Sequence, residues 1–306
     1  MTSSFEDTLS PLGRRLARLR RAVRWRAKGL LGKRRTILVE LNWRLGDEIM
    51  ALPVLEALHA RYPAAALQVQ THYPDLFTDN PWVDAVNPAD PDPDRYILLR
   101  GAPRRVYRLA ACCAKAGVPL TAARPRLYYR DWQAPQLAGV PEGTGPLIAL
   151  APGASWASKR WPLDRWRALA ARLEAESGRV MVLGGPDEGL DCGTDFTGAT
   201  TVREAACLLR AADLAVCCDS GLMHLALAAG TPVVALFGPT DPDRLIRDEP
   251  KLTALRSDQS CQGFWNHAVI VGEPGVCPDG HACCLESISV EDVARAVAAR
   301  LAGGRD

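Results

Sequence analysis

The chain has 306 residues, 37 Lys+Arg against 35 Asp+Glu for a net charge of +2, with 48% hydrophobic and 24% charged residues. This profile predicts a soluble globular protein of about two domains and argues against a nucleic-acid binder coated in base. No uninterrupted run of about 18 apolar residues is present, which excludes an ordinary transmembrane helix.

The charge is unevenly placed. Between Pro11 and Arg35 stand nine Arg and two Lys without a single acid, so the remaining 281 residues sum to −9. This basic stretch never gives way to an apolar core and a small-residue cleavage site, so it does not read as a secretory signal. The expected compartment is therefore cytoplasmic, with the ten Cys held mostly as reduced thiols. Within the stretch, Leu12, Leu16, Leu19, Val23, Ala27 and Leu30 recur in steps of three and four, which predicts one narrow apolar stripe on an Arg-rich helix. Residues 11–35 then suit either an anionic membrane surface or packing of the stripe on the body of the protein.

From Thr36 onward strands and helices alternate, which predicts an α/β fold with a parallel sheet. Thr36–Leu41 reads as a strand leading through Asn42–Gly46 into a helix over Asp47–Arg61, and Leu67–Thr71 and Tyr96–Leu99 read as further strands. The segments Pro88–Asp94 and Gly139–Pro146 are rich in turn formers, and the domain boundary is expected at the second. The domains are therefore a basic N-terminal segment over 1–35, a first α/β domain over 36–143 and a second over 144–306.

In the second half, four apolar runs end in small or turn-forming residues. Leu147–Leu150 runs into Pro152-Gly153, Arg179–Leu183 into Gly184-Gly185, Leu214–Cys218 into Asp219-Ser220-Gly221, and Pro232–Phe237 into Gly238-Pro239. An open α/β sheet collects ligands at such strand ends. The first turn of the chain, Asn42 to Asp47, carries a single glycine, so neither a dinucleotide fingerprint nor a Walker loop is present.

Asp47 stands at a predicted helix start, where it is either an N-cap or a carboxylate facing a ligand. Ser155, Lys159 and Arg160 follow a strand end, as an anion-binding turn would, or as solvated loop charges. Asp219, Ser220, Gly221, Leu222 and His224 span a strand end and the next helix start, where unsatisfied N–H groups and a positive dipole suit a diphosphate; the alternatives are a capping Ser220 and a core His224. Cys261, Cys277, His281 and Cys283 are weakly spaced soft ligands for zinc, or simply a reduced cluster. No Asp-x-Asp signature sits at a strand end of these turns, so no metal cofactor is expected there. A Gly-x-Ser-x-Gly elbow and an His-Glu-x-x-His helix are also absent.

Together LGDEIMALPVLEAL (45–58), PGASWASKRWP (152–162), VLGGPDE (182–188) and CDSGLMHLALAAGTPVVALFGPTDP (218–242) closely resemble glycosyltransferase family 9, the lipopolysaccharide ADP-heptose transferases. The resemblance implies a GT-B fold, two Rossmann-like domains facing across a cleft, with the acceptor on the first and the sugar nucleotide on the second. It implies a metal-independent inverting transferase without a cofactor, peripheral on the cytoplasmic face of the inner membrane, moving heptose from ADP-heptose to a lipid-linked glycan acceptor. In that family the aspartate matching Asp47 is the candidate general base and the lysine matching Lys159 contacts the diphosphate. Asp219, Ser220, Gly221 and His224 match the turn lining the donor site, and Glu188 matches an acidic residue that can meet the ribose or base. The pattern departs at Trp43-Arg44, where the family usually carries two small hydroxyl residues. The alternative reading is a catalytically silent GT-B protein that binds sugar nucleotides.

Overall fold

The computed structural model describes residues 9–99, 106–120, 124–176, 178–259, 262–263 and 283–304. The chain divides into two compact units, Met1–Arg130 and Asp131–Asp306. Gly139–Pro146, expected as the linker, lies inside the second unit rather than between the two. Residues 131–139 are held there by Trp132 under the Arg210 guanidinium, 4.3 Å from the ring centroid, and by Arg203, which donates to the Asp131 carbonyl at 2.9 Å.

The first unit begins with helix α1 (Pro11–Leu30), capped by Ser10, whose hydroxyl accepts the Gly13 N–H. There follow β1 (Thr36–Glu40), α2 (Leu45–Arg61), β2 (Ala66–Gln70), β3 (Ala85–Val86), β4 (Arg95–Leu98) and α3 (Arg108–Ala116). The four strands pair in the order β3-β2-β1-β4, all parallel. β1 is buried along Ile37–Glu40, as a central parallel strand covered on both faces must be.

The leucine stripe of α1 does not pack on the body. Gly13, Ala17, Arg21, Arg24, Trp25 and Lys28 form the more sheltered side, and polar contacts hold it. Asp94, whose side chain is fully buried, lies 2.6 Å from Arg24 Nε and 2.8 Å from Lys28 Nζ. It also accepts the Thr36 N–H at 2.8 Å, tying the helix to the start of β1. Trp25 meets Tyr62 edge to face at 5.3 Å. Asp92 and Asp94, at the end of the Pro88–Asp94 loop, thus serve as the clamp for α1.

The second unit contains β5 (Leu147–Ala151), α4 (Leu163–Ala175), β6 (Arg179–Val182), β7 (Thr194–Asp195), α5 (Val202–Ala211), β8 (Leu214–Cys218), α6 (Gly221–Ala229), β9 (Val233–Phe237) and β10 (Leu252–Arg256), and closes on the helix Val290–Ala302. Its sheet runs β10-β9-β8-β5-β6-β7, again parallel throughout. Strands β5, β8 and β9 are buried at every residue. Helix α5 starts with a capping box in which Thr201 and Glu204 satisfy each other's backbone N–H groups. Trp161 packs edge to face on Trp166 of α4, with ring centroids 5.2 Å apart. Trp161 Nε1–H donates to the Ile288 carbonyl at 2.9 Å and Arg165 to the same oxygen at 2.8 Å, which fastens the 152–162 turn to the segment before the last helix.

Candidate functional site

In the first unit the loop after β1 turns at Asn42, with φ of 31°, and enters α2. The N-cap position belongs to Arg44, which makes no side-chain cap, so Asp47 is not the cap but a residue of the first helical turn. A carboxylate is favoured there by the helix dipole. Arg108, at the start of α3, places Nη2 2.8 Å from Asp47 Oδ1. The sequence offered no sign of this pairing, because the two residues are distant in the chain and no periodicity links them.

Glu48 is the neighbour that sequence reasoning overlooked. Buried at the start of α2, it accepts the Trp43 N–H at 3.1 Å and the Thr71 hydroxyl, and lies 3.4 Å from the His72 N–H. Burial pushes its carboxyl above the usual range against these three donors. One side chain thereby fixes the Trp43-Arg44 loop to the end of β2. The available signal was an acid in the apolar run 45–58.

In the second unit four strand-end turns converge at the C-terminal edge of neighbouring strands β9, β8, β5 and β6. Lys159 Nζ lies 2.6 Å from Asp219 Oδ2 and 4.5 Å from the Trp156 ring centroid, a cation-over-ring arrangement. The same Asp219 oxygen accepts the Thr240 hydroxyl at 2.5 Å. Burial works to raise the Asp219 carboxyl, but Lys159, His224 and the two hydrogen bonds outweigh it and hold it below its ordinary value. Asp219 is therefore a fixed anion that positions Lys159, and His224 is buried beside it. Lys159 is no solvated loop charge.

Ser220 occupies the N-cap of α6 with extended backbone, yet makes no side-chain cap, and its buried Oγ has no hydrogen-bond partner. The capping alternative thus fails, and the hydroxyl stands with the Gly221 and Leu222 N–H groups at a positive helix end. Ser155 is exposed on the neighbouring turn. Glu188 folds back so that Oε2 accepts the Gly185 N–H at 2.8 Å. Its carboxylate lies across Gly153, where an added Cβ would stand 1.8 Å from Oε2. Glycine at 153 is what allows the acidic group to reach the β5 turn.

Among the described residues no group of His, Cys, Asp and Glu could hold a metal ion. Cys261, Cys277 and His281, together with the side chain of Cys283, lie outside the described residues. Cys284 is buried against Gly238, where an added Cβ would come within 2.9 Å of its sulfur. On β8, burial raises both the Cys217 and the Cys218 thiol, Cys218 to about 12, so both stay protonated and inert.

The family model for glycosyltransferase family 9 (heptosyltransferase) matches residues 106–264, more than half of the chain. Lipopolysaccharide heptosyltransferase 2 of Escherichia coli K12 is 34% identical over 166 residues, which cover 46% of this chain and 47% of the relative. The chain thus aligns with about half the length of such curated relatives. Among solved structures, E. coli ADP-heptose lps heptosyltransferase II superposes with a TM-score of 0.67 at 21% identity, covering 88% of this chain and 99% of that one. The iron-containing dodecameric glycosyltransferase TibC of enterotoxigenic E. coli superposes with a TM-score of 0.72 at 20% identity, covering 89% and 77%. The fold is accordingly GT-B, as the motifs implied. With the family model spanning the strand-end turns built above, the chain belongs to glycosyltransferase family 9.

Proposed function

We propose that the protein is an inverting, metal-independent glycosyltransferase that moves heptose from ADP-heptose to a lipid-linked acceptor of the lipopolysaccharide core, at the cytoplasmic face of the inner membrane. The observation that carries the reading is the Lys159–Asp219–Thr240 constellation beside the open N-terminus of α6. It offers a cation, backbone N–H groups and the free Ser220 hydroxyl to one diphosphate, with Glu188 near enough to meet ribose or base.

In this reading the acceptor hydroxyl attacks the anomeric carbon while its proton passes to Asp47. The bond from that carbon to the diphosphate oxygen breaks in the same displacement, which inverts the configuration. Charge developing on the leaving diphosphate is met by Lys159 and the α6 dipole, the task a divalent cation performs elsewhere. A carboxylate is a weak base at neutral pH, so in this reading the proton moves as the bond forms. Arg108 holds one Asp47 oxygen and fixes the direction of the carboxylate.

The test replaces Asp47 by Asn and measures sugar transfer from ADP-heptose to acceptor extracts in the presence of a chelator. Retained ADP binding with transfer reduced by about a hundredfold or more, in the range of general-base catalysis, supports the reading; undiminished transfer removes Asp47 as the base. A second reading, a catalytically silent sugar-nucleotide binder, is favoured by the Asp47–Arg108 pair and by the bulky Trp43-Arg44. Tight nucleotide binding with no turnover of the unaltered protein on any acceptor would select it.

A further inference from the structure

Helix α1 turns its leucines to solvent and its cations partly inward, the reverse of what a helix stabilised by apolar packing on its own domain would do. Leu12, Leu16, Leu19, Val23 and Leu30 are between 48% and 89% exposed, on one line along a helix about 30 Å long. The orientation is held by the Arg24 and Lys28 pairs with buried Asp94, by Trp25 against Tyr62, and by Arg21 over the Tyr96 ring at 5.5 Å. Exposed Arg15, Arg18, Arg20 and Arg26 flank the leucine line. Beside it an open groove of about 480 Å³, lined by Arg20, Arg21 and Arg24 with Leu9, Leu16 and Asp92, runs between the helix and the 92–93 loop.

We propose that this outward face of α1 is the docking surface for an anionic lipid bilayer, with the five apolar side chains entering the headgroup boundary and the arginines meeting lipid phosphates. Charge decides between the occupants. A second copy laid along the same stripe would bring two helices together, each with seven Arg, one Lys and no acid between Pro11 and Leu30, and like charges repel at that distance. A nucleic acid would satisfy the arginines and leave the leucines in water. An anionic bilayer satisfies both, because apolar burial and attraction to anionic headgroups add. The arginines can lie flat and reach headgroups while their stems cover apolar surface. The proposal stands independently of the chemistry at the donor turns.

The experiment is co-sedimentation of the full chain with vesicles of phosphatidylcholine alone and of phosphatidylcholine with phosphatidylglycerol, at low and high salt. The expected result is partition onto the anionic vesicles only, weakened at least tenfold by high salt. The variant Leu16→Ser/Leu19→Ser should lose most of that partition at low salt. Because both side chains are exposed, it should keep the thermal unfolding midpoint of the unaltered protein. Equal binding to both vesicle types, unaltered binding by the leucine variant, or a solution dimer that the same variant dissolves would each overturn the proposal.

Discussion

Glycine 153 offers a way to remove one functional group without deleting it. An alanine there would place its Cβ 1.8 Å from Glu188 Oε2 and 2.0 Å from Cδ, so the carboxylate must leave the turn. Backbone movement is not the cheap escape, since Gly153 follows the fully buried β5, whereas a carboxylate is the free end of a flexible side chain. The folded state loses the Gly185 N–H bond to Glu188, worth about 1.5–3 kcal/mol for a charged acceptor. If Glu188 also meets the nucleotide, losing a second bond of that class lowers affinity roughly ten- to a hundredfold. Titration calorimetry with ADP on Gly153→Ala, Glu188→Ala and the double variant tests this. Each single variant should weaken binding to a similar degree, and the double variant should bind no more weakly than either. Full additivity in the double variant, or a Gly153→Ala protein that binds as tightly as the unaltered one, would refute the role assigned to Glu188.

Replacing Lys159 by Met strands a buried carboxylate, and removal of one partner of such a pair costs about 3–5 kcal/mol. Adding Asp219→Asn should recover part of that stability but none of the nucleotide affinity, as urea unfolding beside ADP titration would record; a cost below about 1 kcal/mol would mark an ordinary surface pair. Because the Asp219 carboxyl is held below its ordinary value, the stability it contributes is complete above the ordinary aspartate range and lost as pH falls through the depressed value. The stability gap between the unaltered protein and Asp219→Asn should therefore narrow between about pH 5 and pH 3, and a gap that widens on acidification would contradict the assignment. A thiol reagent should leave Cys217 and Cys218 unmodified in the native protein and label both in denaturant, read by mass spectrometry of the β8 peptide.

Strands were the most legible part of the fold. Runs such as Leu214–Cys218 are short, apolar on both faces and closed by turn residues, and strand boundaries fell within a residue or so of those expected. Helix α5 was not singled out, although Thr201 and Glu204 form the cap that starts it. The strand-end turns of the second unit were readable because each carries its polar residues within a short stretch of chain. What joins them was not, for Lys159, Asp219 and Thr240 meet only after β5, β8 and β9 become neighbours in the sheet. Asp47 was singled out but its ion-pair partner was not, since Arg108 comes from another helix. The periodicity of α1 located its stripe correctly and said nothing about which side would face the domain. That choice rests on Asp94, an acid within a proline-rich loop that sequence patterning treats as a mere connection.

The bond from Trp161 to the Ile288 carbonyl ties the segment just before the last helix to the turn that carries Lys159. The turn carrying Lys159 is a lever whose fulcrum is Trp161, and the fulcrum is bolted to backbone just ahead of Ser289, the cap of that helix. Strain applied to residues 289–302, whether by truncation or by a fused partner, reaches the ammonium group through three residues of chain. The C-terminal segment of the second unit is in this sense the foundation of the Lys159 turn.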